Sequence, residues 1–191
     1  MSPCDAGMDW REHMNVALIF AGGTGQRMSA RAKPKQFLEL HGKPIILYTL
    51  DHFESHPDID QIVIVCLKSW IKELEMLLHR YDFTKVVRIV SGGATGHESI
   101  YNGLSAMEPM VAPDDIVLIH DGVRPLINEE LITANIAKAK EYGSVITVEA
   151  ATESVVKLDA NDCIESVPHR SQMFIAKAPQ SFRFGLILEY Y

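Results

Sequence analysis

Four cations, Arg27, Arg31, Lys33 and Lys35, come directly after a glycine turn, Gly22, Gly23 and Gly25, in the segment AGGTGQRMSARAKPKQF. Glycines that close an apolar run leave room for backbone N–H groups to approach a phosphate or a base edge. Cations fixed just beyond them neutralise the charge that gathers on non-bridging oxygens when a phosphoryl or nucleotidyl group moves. Pro34 stiffens the approach to Lys35. A solvated basic loop is the plain alternative. Two familiar phosphate loops fail on spacing: the Gly42-Lys43 pair runs into Pro44 rather than Ser or Thr, and the run from Asn15 to Ala21 is not followed by a glycine fingerprint opening straight into a helix.

Two further segments combine glycine with chemistry. GGATGHES, from Gly92 to Ser99, offers backbone donors and a hydroxyl; Ser99 reads equally well as a residue of a helix start. In IHDGVRP, Asp121 ends an apolar run, flanked by His120 and followed by Arg124 and Pro125. A lone Asp after a strand is more often a helix or turn cap, but one flanked by His120 and followed by Arg124 and Pro125 at the ligand edge is a better candidate for function. A local salt bridge is the plain reading of Arg124, and His120 reads as structural.

These segments need strands behind them. Asn15 to Ala21, Gln61 to Leu67, Val86 to Val90, Asp115 to His120 and Ser144 to Val148 are short apolar runs. They alternate with helical patterns over Pro44 to Glu54, Trp70 to Tyr81 (capped by Ser69), Glu98 to Met107 and Asn128 to Glu141, the last stopped at Gly143. Such alternation predicts an α/β domain with a mostly parallel sheet. In open parallel sheets ligands lie beyond the carboxyl ends of the strands, where all three candidate segments fall. After Val148 the pattern changes: Ser154 to Leu158 and Cys163 to Val167 alternate around the turn Asp159 to Asp162, a β-hairpin that projects and needs another surface to cover it.

The bulk composition narrows the class. The 191 residues are 47% hydrophobic and carry 18 basic against 25 acidic side chains, net −7. That balance excludes a general nucleic-acid binder but not a single nucleotide. Three scattered cysteines, Cys4, Cys66 and Cys163, favour a reducing, cytoplasmic setting over a disulfide framework. No apolar run is long enough for a membrane span, and residues 1–13 read as a disordered lead without the apolar core of a secretory signal.

Taken together, AGGTGQRM followed by PKQFL, then GKPIILYTL, the GG and ESIYNGL pair, IHDGVRP and APQSF resemble the cytidylyltransferases that act on methylerythritol phosphate and ribitol 5-phosphate. The resemblance runs from Asn15 to the end. It implies a Rossmann-like three-layer nucleotidyltransferase fold over residues 14–191 with a β-arm at 152–171 that embraces a second subunit as a homodimer. It implies Mg²⁺, CTP and a polyol phosphate as cofactor and substrates, with no nucleic-acid or membrane partner. By the same resemblance Ala21, Gly22, Gly23, Thr24 and Gly25 wrap CTP, and Arg27 and Lys35 stabilise the transition state. Gly93 and Ser99 read cytosine and ribose, Asp121 meets the metal and the substrate, Arg124 contacts the acceptor, and Arg170 reaches the acceptor phosphate in the partner's site. The pattern breaks at Ala94 and Gly96, where relatives commonly carry an acid and an arginine, and at Ala178, where they carry threonine. Relatives also continue past the helix expected at Phe184 to Tyr191 with a further strand and helix, so the chain reads as a shortened member. A hexose-1-phosphate-type nucleotidyltransferase using another nucleotide, or an inactive nucleotide-binding remnant, is the alternative.

Overall fold

A computed structural model describes residues 13–22 and 33–191. Residues 1–12 of the expected 1–13 lead, and Gly23, Thr24, Gly25, Arg27 and Arg31, lie outside the described residues.

In chain order the elements are β1 (Asn15–Ala21), the small hairpin β2 (Glu39–Leu40) and β3 (Lys43–Pro44), α1 (Ile45–Ser55), β4 (Gln61–Cys66), α2 (Ile71–Arg80), β5 (Val86–Ser91), α3 (Gly96–Met107), β6 (Ile116–Asp121), α4 (Glu129–Tyr142), β7 (Ser144–Ala150), β8 (Lys157–Leu158), β9 (Ile164–Ser166), β10 (Phe174–Arg183) and α5 (Phe184–Tyr190). Six strands form one sheet in the order β5-β4-β1-β6-β10-β7. β5, β4, β1 and β6 pair in parallel, and β10 is antiparallel to both neighbours.

The central strands are apolar on both faces because helices cover both. Period-two alternation sends Ala17 and Ile19 of β1, Ile62 and Ile64 of β4, and Ile116 and Leu118 of β6 into one core with α1, α2 and α4. Val16, Leu18, Val63, Val65 and Val117 point the other way, onto α3 and α5. The three layers follow directly. At Gly103 the helix α3 rides so close to the sheet that a Cβ would sit 2.7 Å from Leu18 Cδ1.

Three expectations change. Ser69 caps nothing: it lies inside a 3₁₀ turn, Lys68–Trp70, and α2 starts at Ile71 without a side-chain cap. α3 begins earlier than Glu98, because Thr95 accepts the Glu98 N–H at 3.0 Å. The segment holding APQSF is a ten-residue strand, β10, that the sequence reading left unassigned. Its Pro179 falls where the register shifts between Ala176 and Gln180, so no ladder bond is asked of a residue without an N–H. Thr147 Oγ1 bonds the Pro179 carbonyl at 2.7 Å. Asn128 and Gly143 close the two ends of α4 as expected, Gly143 with φ +82°.

Candidate active site

The ends of β1 and β5 meet across glycine. A Cβ on Gly22 would lie 3.3 Å from Ser99 Oγ, and one on Gly92 would lie 3.0 Å from the same oxygen and 3.5 Å from Gly22 Cα. A side chain at either position would press on Ser99, which would have to give by a few tenths of an ångström. Ser99, only 1% exposed, accepts the Gly93 N–H at 2.9 Å and donates to the Thr95 carbonyl at 2.7 Å. It is therefore both a first-turn residue of α3 and the clasp of the Gly92–Thr95 loop. Glu98 adds a second clasp, its carboxylate accepting the Ala94 N–H at 2.6 Å. A Cβ on Gly96 would meet nothing within 4 Å, and Ala94 is exposed, so the two positions where the sequence pattern breaks face open space.

Lys35 is brought to the same place by its neighbours. The 3₁₀ turn Lys35–Phe37 is pinned by Gln36, whose Nε2 donates to the Ala21 carbonyl at 2.7 Å, and by Phe37, fully buried and stacked on Trp70 with ring centroids 4.6 Å apart. Phe37 N–H also bonds the Pro34 carbonyl at 2.9 Å. The turn is held; the Lys35 side chain is exposed and has no ion-pair partner among the described residues. Lys33 differs, being paired with Glu39 at 3.0 Å. Gln36 stands in the PKQFL motif, but neither its spacing nor its type shows that its side chain reaches the Ala21 carbonyl.

The third strand end adds the acid. Gly122 N–H bonds the Phe20 carbonyl at 2.8 Å, and a Cβ on Gly122 would lie 3.3 Å from the Ala21 Cβ, so the Asp121 loop abuts the end of β1. Arg124 Nε donates to Asp121 Oδ2 across the exposed face of the loop. An exposed pair of this kind adds little stability and leaves both groups available to a ligand. Beside it opens a recess of about 310 Å³ whose wall includes His120, Val123, Arg124, Pro125, Lys177 and Ala178. His120 is buried, bonds the Arg124 carbonyl through Nε2 at 3.1 Å and packs on Phe53. Burial pushes its pKa down, opposed by the hydrogen bond to Arg124 and by the Asp121 carboxylate.

Glycine backbone, the turn that carries Lys35, and an aspartate–arginine pair thus lie at the carboxyl ends of β1, β5 and β6. The family model for IspD, 2-C-methyl-D-erythritol 4-phosphate cytidylyltransferase, matches residues 15–191. The chain belongs to this family. Its sequence is 51% identical over 175 residues to the ribitol-5-phosphate cytidylyltransferase of Streptococcus agalactiae serotype Ia, covering 92% of this chain and 73% of that protein. It is 42% identical over 171 residues to the 2-C-methyl-D-erythritol 4-phosphate cytidylyltransferase of Syntrophotalea carbinolica, covering 89% and 72%. Among solved structures, 4-diphosphocytidyl-2C-methyl-D-erythritol synthase from Anaerococcus prevotii superposes with a TM-score of 0.79 at 29% identity, over 93% of this chain and 73% of that one.

Arg170 lies in a 3₁₀ turn at the base of the arm and, among the described residues, reaches only the Thr152 carbonyl, at 3.4 Å; no hydrogen bond or ion pair joins it to Lys35, Asp121 or Arg124. Among the described residues no group of three or more His, Cys, Asp or Glu could hold a metal ion by itself. Asp121 offers one carboxylate at the strand end. A single carboxylate suits a hard cation that keeps several waters and draws further oxygens from bound phosphates.

Proposed function

We propose that this chain transfers a cytidylyl group from CTP to a sugar-alcohol phosphate, with ribitol 5-phosphate preferred over 2-C-methyl-D-erythritol 4-phosphate as acceptor. The observation that carries this reading is the convergence of Gly22, the Gly92–Ser99 loop, the pinned Lys35 and the Asp121–Arg124 pair on one edge of the sheet.

In this reading Ala21 to Gly25 and Gly93 hold the nucleotide through main-chain groups, and Ser99 keeps its loop in shape for the cytosine and ribose. An acceptor phosphate oxygen attacks the α-phosphorus of CTP; the bond to the β-phosphate oxygen breaks, and pyrophosphate leaves with that electron pair. Arg27 and Lys35 stabilise the charge that spreads over the phosphate oxygens, so catalysis is alignment plus electrostatics. Asp121 would hold a divalent cation, Mg²⁺, which when bound neutralises phosphate charge. Releasing Arg124 from Asp121 frees its guanidinium for the acceptor, whose polyol end fits the recess lined by Lys177 and Ala178. Arg170, which no hydrogen bond or ion pair joins to Lys35, Asp121 or Arg124, serves the acceptor phosphate of a second copy across a homodimer built on the 152–171 arm. A guanidinium suits that task because it binds phosphate in a two-pronged fashion. Cys66 and Cys163 are free, in keeping with a cytoplasmic setting. The ribitol preference rests on the 51% relative being a ribitol-phosphate enzyme and the 42% relative a methylerythritol-phosphate one.

The direct test is pyrophosphate release from CTP, ATP, GTP and UTP with each of the two acceptors. Release with CTP and ribitol 5-phosphate, faster than with any other pairing, is expected. Faster release with methylerythritol phosphate would overturn the acceptor preference. Release with a hexose 1-phosphate and another nucleotide, or none with any pairing, would overturn the whole reading.

A further inference from the structure

The loop from Gly122 to Ile127 belongs to no strand or helix, yet side chains bond its carbonyls one after another. Thr49 Oγ1 donates to the Gly122 carbonyl at 3.1 Å, His120 Nε2 pairs with the Arg124 carbonyl at 3.1 Å, and His52 Nε2 pairs with the Pro125 carbonyl at 3.0 Å. A carbonyl only accepts, so the ring nitrogen facing it carries the proton in both histidines. Thr49 and His52 are one turn apart on α1 and share a face of that helix.

Thr49 is the anomaly on this face. It is fully buried beside Ile46, Leu47, Leu50 and Phe53, where a hydroxyl is costly unless bonded, and the loop carbonyl supplies its bond. The loop's own backbone bonds, Gly122 N–H to Phe20 and Arg124 N–H to Asp121, lie at its start. Beyond Arg124, Leu126 is 99% exposed and anchors nothing. The exposed Asp121–Arg124 pair cannot fix the backbone that carries it. Ile127, 5% exposed in the main core, anchors the loop's far end; between that anchor and the turn at Gly122, the row of side-chain donors holds the carbonyls of Gly122, Arg124 and Pro125.

We propose that Thr49 and His52 are positioning residues for cytidylyl transfer: from α1 they clamp the backbone on either side of Arg124, and so aim Asp121 and Arg124 at the acceptor. The inference rests on the reading of that loop as the acceptor side of the site. The clamp touches no reacting atom, and its effect passes wholly through the loop.

The test is steady-state kinetics of the full chain, varying CTP and ribitol 5-phosphate separately, for Thr49→Val and His52→Leu. Thr49→Ser and His52→Gln restore a donor at each position. Loss of one hydrogen bond at a positioned loop is expected to lower kcat/KM for the acceptor roughly fivefold to tenfold, with KM for CTP unchanged within about twofold. The serine and glutamine variants should recover most of that loss. In an Arg124→Ala background, adding Thr49→Val should cost less than about twofold more, since both act through one loop. Should one variant fail to fold, as thermal melting will reveal, the other carries the same test. Equal changes in the CTP and acceptor parameters, no change in either, or an undiminished Thr49→Val effect without Arg124 would each overturn the clamp. If Arg124→Ala itself leaves acceptor kinetics intact, the acceptor-side reading falls and takes the clamp with it; an Arg124 effect with a silent Thr49 and His52 sinks the clamp alone.

Discussion

The strand-end cradle and the projecting arm are built on opposite terms. Around Gly22, Gly92 and Ser99 every clasp is internal: Ser99 to Gly93 and Thr95, Glu98 to Ala94, Gln36 to Ala21, each bond 2.6–2.9 Å. In the arm every residue from Thr152 to Val167 is exposed, and its two strands, β8 and β9, have two and three residues. Its turn is well formed, with Asp159 Oδ1 accepting the Asn161 and Cys163 N–H groups, but Val155, Val156, Leu158, Ile164 and Val167 face outward. A lone two-stranded hairpin is marginal in water, and apolar side chains left uncovered along one are suited to another surface. The cradle is a product of one chain folding; the arm has a shape that only a further surface makes useful.

The largest expected effect breaks the cradle's chemistry without touching its architecture. Lys35→Ala leaves the turn pinned by Gln36 and Phe37, so CTP should still raise the melting temperature while kcat falls by roughly 10²–10³, the cost of losing one preorganised donor to developing charge. Pyrophosphate release and thermal shift, measured together, decide it; unchanged turnover would remove Lys35 from catalysis. Next in size is the arm. Ile164→Asp with Val167→Asp should convert a dimer to a monomer by sedimentation, weakening association roughly thirtyfold or more if these side chains anchor the interface. Acceptor turnover should fall with it, while the monomer's stability moves by no more than about 0.5 kcal/mol per substitution because both sites are exposed. A dimer that survives would place the interface elsewhere.

The smallest effect is in pH, on the boundary of the cradle. Burial holds the folded pKa of His120 below the ordinary histidine value of 6.5, so the neutral ring stabilises the fold. That contribution is complete above about pH 6.5 and shrinks as pH falls below it, because the unfolded chain then takes up a proton that the native ring refuses. Melting temperatures measured between about pH 7.5 and 5.5 should decline, and His120→Gln should flatten part of the slope. An identical slope in that variant would exclude His120 as its source.

Much of this was legible in the residues themselves. The five apolar runs became strands and the four long amphipathic patterns became helices, because the central strands β1, β4 and β6 are buried on two faces and the helices on one, which leave different periodicities. The family could be read from AGGTGQRM, PKQFL and IHDGVRP, since a glycine turn, cations and a strand-end acid are local features. Ser69 misled because Ser is equally at home in a 3₁₀ turn and at a helix cap. β10 escaped notice because Pro179 interrupts its pattern at a place where the ladder itself is broken.

Sequence alone therefore determined the layers and the class of chemistry, which depend on near neighbours and on which faces must be buried. Only the tertiary structure decided which loops touch: that Gln36 reaches Ala21, that Ser99 backs Gly22 and Gly92, and that Thr49 and His52 hold the loop of Arg124. Those contacts join residues up to 77 positions apart, such as Gly22 with Ser99. No local pattern encodes them, because they exist only once the sheet has set its strand ends side by side.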